Sequence, residues 1–360
     1  MKRALLILAA ILVSVGVMIA VALRSPAMQD RLIERIARSN IGASVEHLFA
    51  DDALRLVVCG SASPLPSRER AGPCLTVIAG GRFYVVDAGP GSWENMALWR
   101  VPGERIGGVF LTHFHSDHIG ELGEINLQTW VAGRPDMLRV FGPPGVERVV
   151  AGFNEAYALD IGYRAAHHGA DFMPPARGRL QEVRFETGSE PGWRGVVFED
   201  GDLRVTSFLV AHEPISPAVG YRFDYRGRSI VISGDTIPNR NTVETARGAD
   251  VLAHEAQAHF MVDILRQTSA DLGALRLSKV FGDIPDYHTS PVEAAQIANE
   301  AGASLLVLYH LTPPPPYGLP ETIFLRGVAD VRSEGVELAR DGLVVELPYA
   351  SKDVRTRHLD

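Results

Sequence analysis

The stretch that decides the fold is His113-Phe114-His115-Ser116-Asp117-His118, which packs four metal-competent side chains into six residues. It follows the apolar run 106–112, which predicts a buried strand that delivers the motif to a sheet edge. Strand alternation places the first two histidines on the same side, and the aspartate and last histidine begin the next helix. They can therefore reach a second ion nearby. Imidazole and carboxylate ligands together favour zinc, with manganese or iron as alternatives.

One cluster cannot fill two coordination spheres, so further ligands are expected at other strand ends. The sequence supplies three candidates, each at the end of an apolar run: His212, Asp235 and His310. Strand ends are where α/β folds gather active-site groups. The pattern therefore predicts a site for two divalent metal ions built from distant parts of the chain.

With these motifs the chain resembles the metallo-β-lactamase superfamily, and within it the ribonuclease Z-like branch that also contains exported arylsulfatases. Gly60-Ser61-Ala62-Ser63-Pro64-Leu65-Pro66 and Asp87-Ala88-Gly89 match that branch too. The resemblance runs from about Leu54 to Leu347. It implies an α/β fold, a four-layered αβ/βα sandwich with a dinuclear metal site at one edge. It also implies a ligand set: His113, His115 and His212 for the first metal, Asp117, His118 and His310 for the second, and Asp235 between both.

Two further segments match the branch. His254-Glu255-Ala256 resembles its His-Glu-Ala-Thr motif, although Gln257 replaces the threonine, and Tyr287-His288-Thr289-Ser290 resembles the segment of its catalytic histidine. The resemblance implies that Glu255 orients His288, which stabilises the oxyanions or protonates the leaving group. Elementary chemistry agrees, because a histidine exchanges protons near neutral pH and a carboxylate fixes its tautomer.

Several other residues have less specific interpretations. Asp87 is expected to support the site without ligating, and His254 to be a buried strand histidine. His167 and His168 could line a substrate pocket or lie on a solvated loop. The stretch 171–200, rich in glycine, proline and arginine, predicts an irregular surface excursion. Cys59 and Cys74 leave two interpretations open, a disulfide or two buried thiols.

The N-terminal segment predicts export. Lys2 and Arg3 precede an uncharged apolar run, Ala4 to Leu23, that is just long enough to cross a bilayer. Positive charge ahead of the run keeps the N-terminus in the cytoplasm and sends the rest outward, to the periplasmic side. An uncleaved anchor is favoured, and a signal peptide cut after Ala20-Val21-Ala22 is the alternative. The predicted domains are an anchor or signal at 1–25, a linker helix at 26–50, a hydrolase domain at 51–350 and a tail at 351–360.

The net charge of the chain indicates which kinds of partner it is expected to bind. The formal net charge is −8 and the isoelectric point about 5.9, whereas proteins that grip nucleic acid usually carry a basic face. Nucleic acid is therefore not expected as a partner, and a small-molecule ester is expected as the substrate. The membrane is a partner through an uncleaved anchor, and a homodimer stays open.

The resulting hypothesis is an exported dinuclear-metal hydrolase. Two nearby metal ions lower the pKa of a shared water, so that metal-bound hydroxide attacks the ester, and Asp117 could take up the proton. The expected substrate is a phosphodiester or an aryl sulfate ester. The alternatives are a ribonuclease Z-type tRNA 3′-processing endonuclease, a β-lactamase or lactonase, and a non-catalytic, membrane-tethered metal-binding protein.

Overall fold

The computed structural model describes residues 2–41 and 45–359, and the chain forms two compact units, Met1–Ser44 and Val45–Asp360. The first unit consists of two helices, α1 (Lys2–Leu23) and α2 (Pro26–Asn40). The predicted linker helix at 26–50 therefore corresponds to α2 and a later 3-10 turn at Glu46–Phe49, and its residues 42–44 lie outside the described residues. So do Met1 of the predicted anchor and Asp360 of the predicted tail. The four-part domain division itself stays a prediction.

Two mixed sheets make up the second unit. The first sheet has the strand order β15-β14-β1-β2-β3-β4-β5-β6. Its strands are β1 (Ala53–Gly60), β2 (Cys74–Ala79), β3 (Arg82–Val86), β4 (Ile106–Phe110), β5 (Leu138–Gly142), β6 (Leu180–Arg184), β14 (Leu343–Pro348) and β15 (Arg355–His358). The second sheet has the order β13-β12-β11-β10-β9-β8-β7. Its strands are β7 (Arg194–Asp200), β8 (Leu203–Leu209), β9 (Val219–Tyr225), β10 (Arg228–Ile232), β11 (Val251–Gln257), β12 (Leu305–Thr312) and β13 (Val336–Leu338).

Helices flank these sheets and connect their parallel strands. They are α3 (Ser92–Leu98), α4 (Ser116–Ile119), α5 (Leu122–Val131), α6 (Val146–Ala156), α7 (Ala158–His168), α8 (Arg240–Thr245), α9 (His259–Asp271), α10 (Leu275–Asp283), α11 (Pro291–Ala301), α12 (Leu319–Phe324) and α13 (Val328–Val331). Further 3-10 turns lie at Gly103–Arg105, Pro175–Gly178 and Ile284–Tyr287.

The sequence of β1 shows how the layers form. All eight of its residues are buried. Leu54, Leu56 and Val58 point between the sheets and pack with residues of the second sheet, such as Phe223. Val57 and Cys59 point the other way, into a core formed with the flanking helices. Because successive side chains of a strand alternate between faces, a strand buried on both faces needs apolar residues at every position.

The second sheet is covered in the same way. Val231, Leu252 and Leu306 on its outer face pack against Ala294 and Ala298 of α11. Since helices cover the outer faces of both sheets, the observed architecture is the four-layered αβ/βα sandwich. The predicted fold class is confirmed.

Two sequence expectations need comment. The stretch 171–200 is not an irregular excursion, because it contains β6 and β7, the edge strands of the two sheets. Their patterns are mostly exposed, with Leu180 and Phe198 as the buried residues, so they lack the apolar runs that revealed the inner strands. The expected tail contains β15, which pairs antiparallel with β14.

The two cysteines form a disulfide between β1 and β2. Gly60 pairs with Cys74 in the antiparallel register, so Cys59 lies close to Cys74 across the two strands. Both side chains are fully buried. Of the two interpretations left open by the sequence, the structure has the disulfide.

Candidate metal centre

The six-residue motif leaves the first sheet after β4. His113 and His115 lie in the segment that follows this strand, and Asp117 and His118 lie in the single-turn helix α4. His113, Asp117 and His118 are buried, and His115 is half-buried. A short helix directly after a strand end therefore turns both halves of the motif towards one place.

The second sheet supplies the other three candidates. His212 follows β8, and Asp235 follows β10. His310 lies inside β12, where the pairing with β11 skips one residue: Tyr309 pairs with Glu255 and Leu311 with Ala256. His310 is thus the extra residue of a β-bulge, and its φ of +49° lies in the left-handed region. A bulge redirects a side chain, and such backbone strain is typical of functional sites.

The seven candidate ligands lie together in two groups of potential ligand atoms, and a third such group joins His288 to Asp235 and His310. Of the first two groups, one contains His113, His115, His212 and Asp235, and the other Asp117, His118 and His310; within each group the potential ligand atoms lie within 4.8 Å of one another. Asp235 is close to both, because its Oδ2 lies 3.3 Å from Nε2 of His118 and of His310 and 3.8 Å from Nε2 of His113. The same oxygen could therefore serve two ions.

Polar partners outside the cluster orient its imidazoles. Asp87 Oδ2 accepts a hydrogen bond from His118 Nδ1 at 2.8 Å, and its carboxylate also accepts bonds from the backbone NH and the hydroxyl of Thr112. His212 Nδ1 lies 3.0 Å from the carbonyl oxygen of Tyr287. In each case the remaining nitrogen, Nε2, is left for a metal, as is usual for ligating histidines.

The charges of the cluster support each other. Burial opposes charge on His118, but the carboxylates of Asp235, Asp87 and Asp117 outweigh it and raise its pKa well above the usual value. Burial likewise opposes ionisation of Asp117, yet His118 and His310 hold its pKa well below the usual range. Burial, followed by the charge of His118, lowers the pKa of His113. Carboxylates and neutral imidazoles are the forms that bind metals, so His118, whose pKa is raised, must release a proton when a metal binds.

The residues present fit two divalent metal ions. Within residues 2–41 and 45–359, four buried atoms of the cluster have no hydrogen-bond partner: His118 Nε2, His212 Nε2, Asp235 Oδ1 and His310 Nδ1. Buried polar atoms are nearly always paired, so several unpaired ones within a single cluster indicate a ligand. Metallo-β-lactamase folds generally bind two divalent metals, and this donor set suits them.

His288 and Glu255 form a pair beside this cluster. The Glu255 side chain is fully buried, and its Oε1 lies 3.1 Å from His288 Nδ1 and accepts a 2.8 Å hydrogen bond from the backbone NH of Thr289. Burial opposes charge on His288, but Glu255 outweighs it and raises the pKa of His288. The His288 ring lies 5.4 Å from that of His212 and 5.5 Å from that of His310, measured between centroids.

A cavity of about 240 Å³ opens over the cluster and reaches His288. Its lining combines acidic and histidine side chains of the cluster with apolar side chains. The apolar lining consists of Pro64, Leu65, Val280, Phe281, Ile284 and the ring of Tyr287. Sequence reasoning did not select Tyr287, although its ring lies 5.0 Å from that of His212 and its position next to His288 was a usable signal.

The remaining histidines lie as follows. His254 is fully buried in β11, as expected, and its Nδ1 contacts the carbonyl oxygen of Glu255 at 2.8 Å. His167 and His168 are exposed at the end of α7, with ring centroids 4.8 Å apart.

Comparison with known proteins identifies the family and the relatives of this chain. A family model described as the beta-lactamase superfamily domain matches residues 82–311. The chain belongs to the metallo-β-lactamase superfamily. Ribonuclease Z of Mycolicibacterium gilvum is 35% identical over 263 residues, which cover 72% of this chain and 85% of that protein. Ribonuclease Z of Mycobacterium bovis is 37% identical over 264 residues, 72% of this chain and 86% of that protein. These relatives place the chain in the ribonuclease Z-like branch of the superfamily. Both are named ribonuclease Z, and neither is named arylsulfatase.

Solved structures agree on the fold. Human tRNase Z, short form, has a TM-score of 0.57 at 20% identity, with 82% of this chain and 99% of that chain covered. The metallo-β-lactamase fold protein YhfI of Bacillus subtilis has a TM-score of 0.56 at 20% identity, with coverage of 82% and 100%. At this identity the likeness establishes the fold alone.

The relatives overturn one prediction. Nucleic acid was excluded as a partner from the acidic net charge, and a small-molecule ester was expected instead, yet the relatives are named as ribonucleases. That prediction is wrong. A formal charge of −8 averages over the whole chain and omits the positive charge that two metal ions bring to the site where a phosphate would bind.

Proposed function

We propose that this chain is a ribonuclease Z-type endonuclease, a metal-dependent phosphodiesterase that acts on RNA. The observation that carries the proposal is the 35–37% identity to proteins named ribonuclease Z over 85–86% of their length, in a chain whose seven ligand candidates converge. The alternatives with a small ester substrate are not pursued, because the relatives contradict them.

The proposed ligand set follows the two groups in the structure. His113, His115 and His212 would hold one ion, Asp117, His118 and His310 the other, and Asp235 both. Six or more imidazole and carboxylate donors without thiolate suit zinc, and manganese or iron are the competing metals. When bound, two such ions supply a hydroxide nucleophile near neutral pH and neutralise the charge that builds on phosphate oxygens.

The proposed role of His288 is to donate a proton to the departing oxygen. Its Nδ1 faces Glu255, so Nε2 is the nitrogen left for the substrate. Glu255 acts through His288: it holds the ring in place and raises its pKa, which keeps a proton available. Glu255 is therefore a positioning residue. The proposed second role of Asp117, uptake of the proton of the nucleophile, rests on its position in the cluster, because a pKa well below the usual range makes its carboxylate a weak base.

The cavity fits the leaving group of a nucleic acid. A nucleoside next to the scissile phosphate would lie against the apolar wall formed by Tyr287, Phe281 and Ile284, on the same side as His288. Aromatic side chains stack on bases without strong sequence preference. The group that accepts the proton would thus be held beside the residue that donates it.

The direct test is cleavage of a transfer RNA transcript that carries a 3′ extension. We expect endonucleolytic release of the extension, complete loss of activity with a chelator, and recovery with zinc or manganese. His288→Ala, assayed with its metal content verified, is the matched control. The proposal would be contradicted if the metal-loaded chain hydrolysed a chromogenic phosphodiester but left the RNA intact.

We also propose that an N-terminal anchor holds an exported body. Leu5–Leu23 is the one segment of the described chain that is long and apolar enough to cross a membrane, with a mean hydropathy of 3.0. Lys2 and Arg3 precede it, and a disulfide joins Cys59 to Cys74, a bond favoured in oxidising compartments. Newly transcribed precursor tRNA is cytoplasmic, so an exported body would encounter other RNA. The 3′-extended transcript therefore tests the chemistry of the site and does not identify the physiological substrate.

A further inference from the structure

Helix α2 begins two residues after the apolar helix α1 and has a defined start. The backbone NH of Met28 donates to the Ser25 hydroxyl at 3.3 Å, and that hydroxyl donates to the carbonyl oxygen of Ala22 at 2.9 Å. Pro26 occupies the first turn, where its fixed φ favours a helix. Ser25 therefore ends one helix and caps the next, which sets a definite junction between them.

The surface of α2 divides into distinct faces. At about 100° per residue, Met28, Leu32, Ile33 and Ile36 form one apolar stripe. All four are exposed, and Ile33 is 64% accessible. The acidic residues, Asp30 and Glu34, lie on the opposite face. Arg31 and Arg35 lie along one flank of the stripe, whereas Arg38 lies nearer the acidic face and forms an ion pair with Glu34 at 2.7 Å.

The apolar stripe follows α1 closely in the chain, and this position favours a lipid membrane as its partner. The 19 residues Leu5–Leu23 span about 28 Å as a helix, close to the thickness of the hydrocarbon core, so α2 begins at its boundary. There the stripe can enter the acyl region while the arginines reach lipid phosphates. Pairing with a second copy is less suited, because 15 residues provide about two heptads and a coiled coil needs three to four.

We propose that α2 lies in the membrane interface, with its apolar stripe among the acyl chains and its arginines at anionic headgroups. This goes beyond the proposed ribonuclease activity and does not depend on it, but it rests on the proposed membrane anchor. The partner is a phospholipid surface, and polybasic flanks strengthen such binding when the surface is negatively charged. The helix then holds the segment that follows the anchor parallel to the membrane plane.

The test uses the full chain reconstituted in vesicles that contain phosphatidylglycerol. Because the two natural cysteines are paired, a single introduced thiol can carry an environment-sensitive fluorophore. Ile36→Cys places it in the stripe. Ala27→Cys is the matched control, since nine residues put it half a turn away on the same helix. Neither position belongs to the candidate metal centre, and a circular dichroism spectrum and an unfolding midpoint that match the unlabelled chain report correct folding of both variants.

We expect iodide to quench the label at position 36 severalfold less than at position 27, and a spin-labelled lipid to quench it severalfold more. The difference should decrease in vesicles of phosphatidylcholine alone. Equal iodide quenching at both positions would place α2 in water and contradict the proposal. Shielding of position 36 from both quenchers would show that protein covers the stripe, which also overturns it.

Discussion

A buried carboxylate oxygen that accepts several hydrogen bonds fixes the orientation of the groups that donate them. Glu255 Oε1 faces His288 Nδ1 and accepts hydrogen bonds from the backbone NH groups of Thr289 and, at 3.3 Å, Thr236. The hydroxyl of Thr289 in turn donates to the carbonyl oxygen of Thr236. These bonds connect the segments that carry His288 and Asp235, so His288 and the candidate metal cluster are held in one geometry.

We predict that His288→Ala retains both metals but loses about 10²–10⁴-fold in turnover on RNA, the range typical of a general acid. The loss should shrink on nitrophenyl esters, because nitrophenolate departs without protonation. Glu255→Gln should show a weaker form of the same defect, and the double variant should be barely worse than His288→Ala, because the two residues act as a unit. Turnover comparable to wild type on RNA would refute the role, and loss of metal would move His288 into the ligand set.

From the sequence it was possible to choose candidate residues that lie together in the structure, but not to predict their backbone conformation. Four ligand candidates share one motif, and three more follow apolar runs, so residue type and position were enough to select them. The bulge at His310 was not predictable, because it depends on how β12 pairs with β11. The same holds for Asp87, whose φ of +60° and contact with His118 arise from a strand end in three dimensions.

At the level of the elements, the disulfide between Cys59 and Cys74 joins β1 and β2, two neighbouring strands of the first sheet. The disulfide closes a segment with a sequence separation of 15, and this segment carries Pro64 and Leu65 of the cavity. A cross-link of this length restricts the unfolded chain and stabilises the fold by about 3 kcal/mol. It thereby also supports one wall of the site.

We predict that replacing both cysteines, Cys59→Ala with Cys74→Ala, lowers the free energy of unfolding of the body by about 3 kcal/mol. Urea unfolding measures this change. Adding reductant during unfolding should destabilise the wild type by a similar amount and leave the double variant unaffected. Equal stability of the wild type with and without reductant would mean that the bond does not contribute.

Element prediction succeeded where burial is complete and failed at the edges. The inner strands β1, β2 and β10 are buried at every position and mostly apolar, since helices or a second sheet cover both faces. The edge strands β6 and β7 are mostly exposed and polar, so pairing with a neighbour rather than hydrophobicity stabilises them. Their sequences therefore favoured loop.

The whole molecule combines an N-terminal unit, whose first helix is apolar, with a body that carries the candidate metal centre. Net charge was a poor guide to substrate, whereas the ligand motif and the relatives agree on the chemistry. Charge near the N-terminus bears on a different property, the direction in which the proposed anchor would insert into a membrane. Location and substrate therefore require separate measurements.

We predict that alkaline phosphatase fused after Asp360, which is active only after export, is active in cells. A cytoplasmic fluorescent reporter at the same place should be dark. Changing Lys2 and Arg3 to glutamate is the matched control and should reduce export, because it removes the positive charge ahead of the apolar run. Fluorescence with an inactive phosphatase would place the body in the cytoplasm, where precursor tRNA becomes the substrate.

The most direct measurement is a metal titration of the metal-free chain, with cleavage of the 3′-extended RNA and bound metal followed together. We predict that activity reaches a plateau at two ions per chain, and that Asp235→Ala fails to bind at least one of them, whereas His288→Ala binds both. A plateau at one ion, or RNA cleavage that persists without metal, would contradict a two-metal ribonuclease.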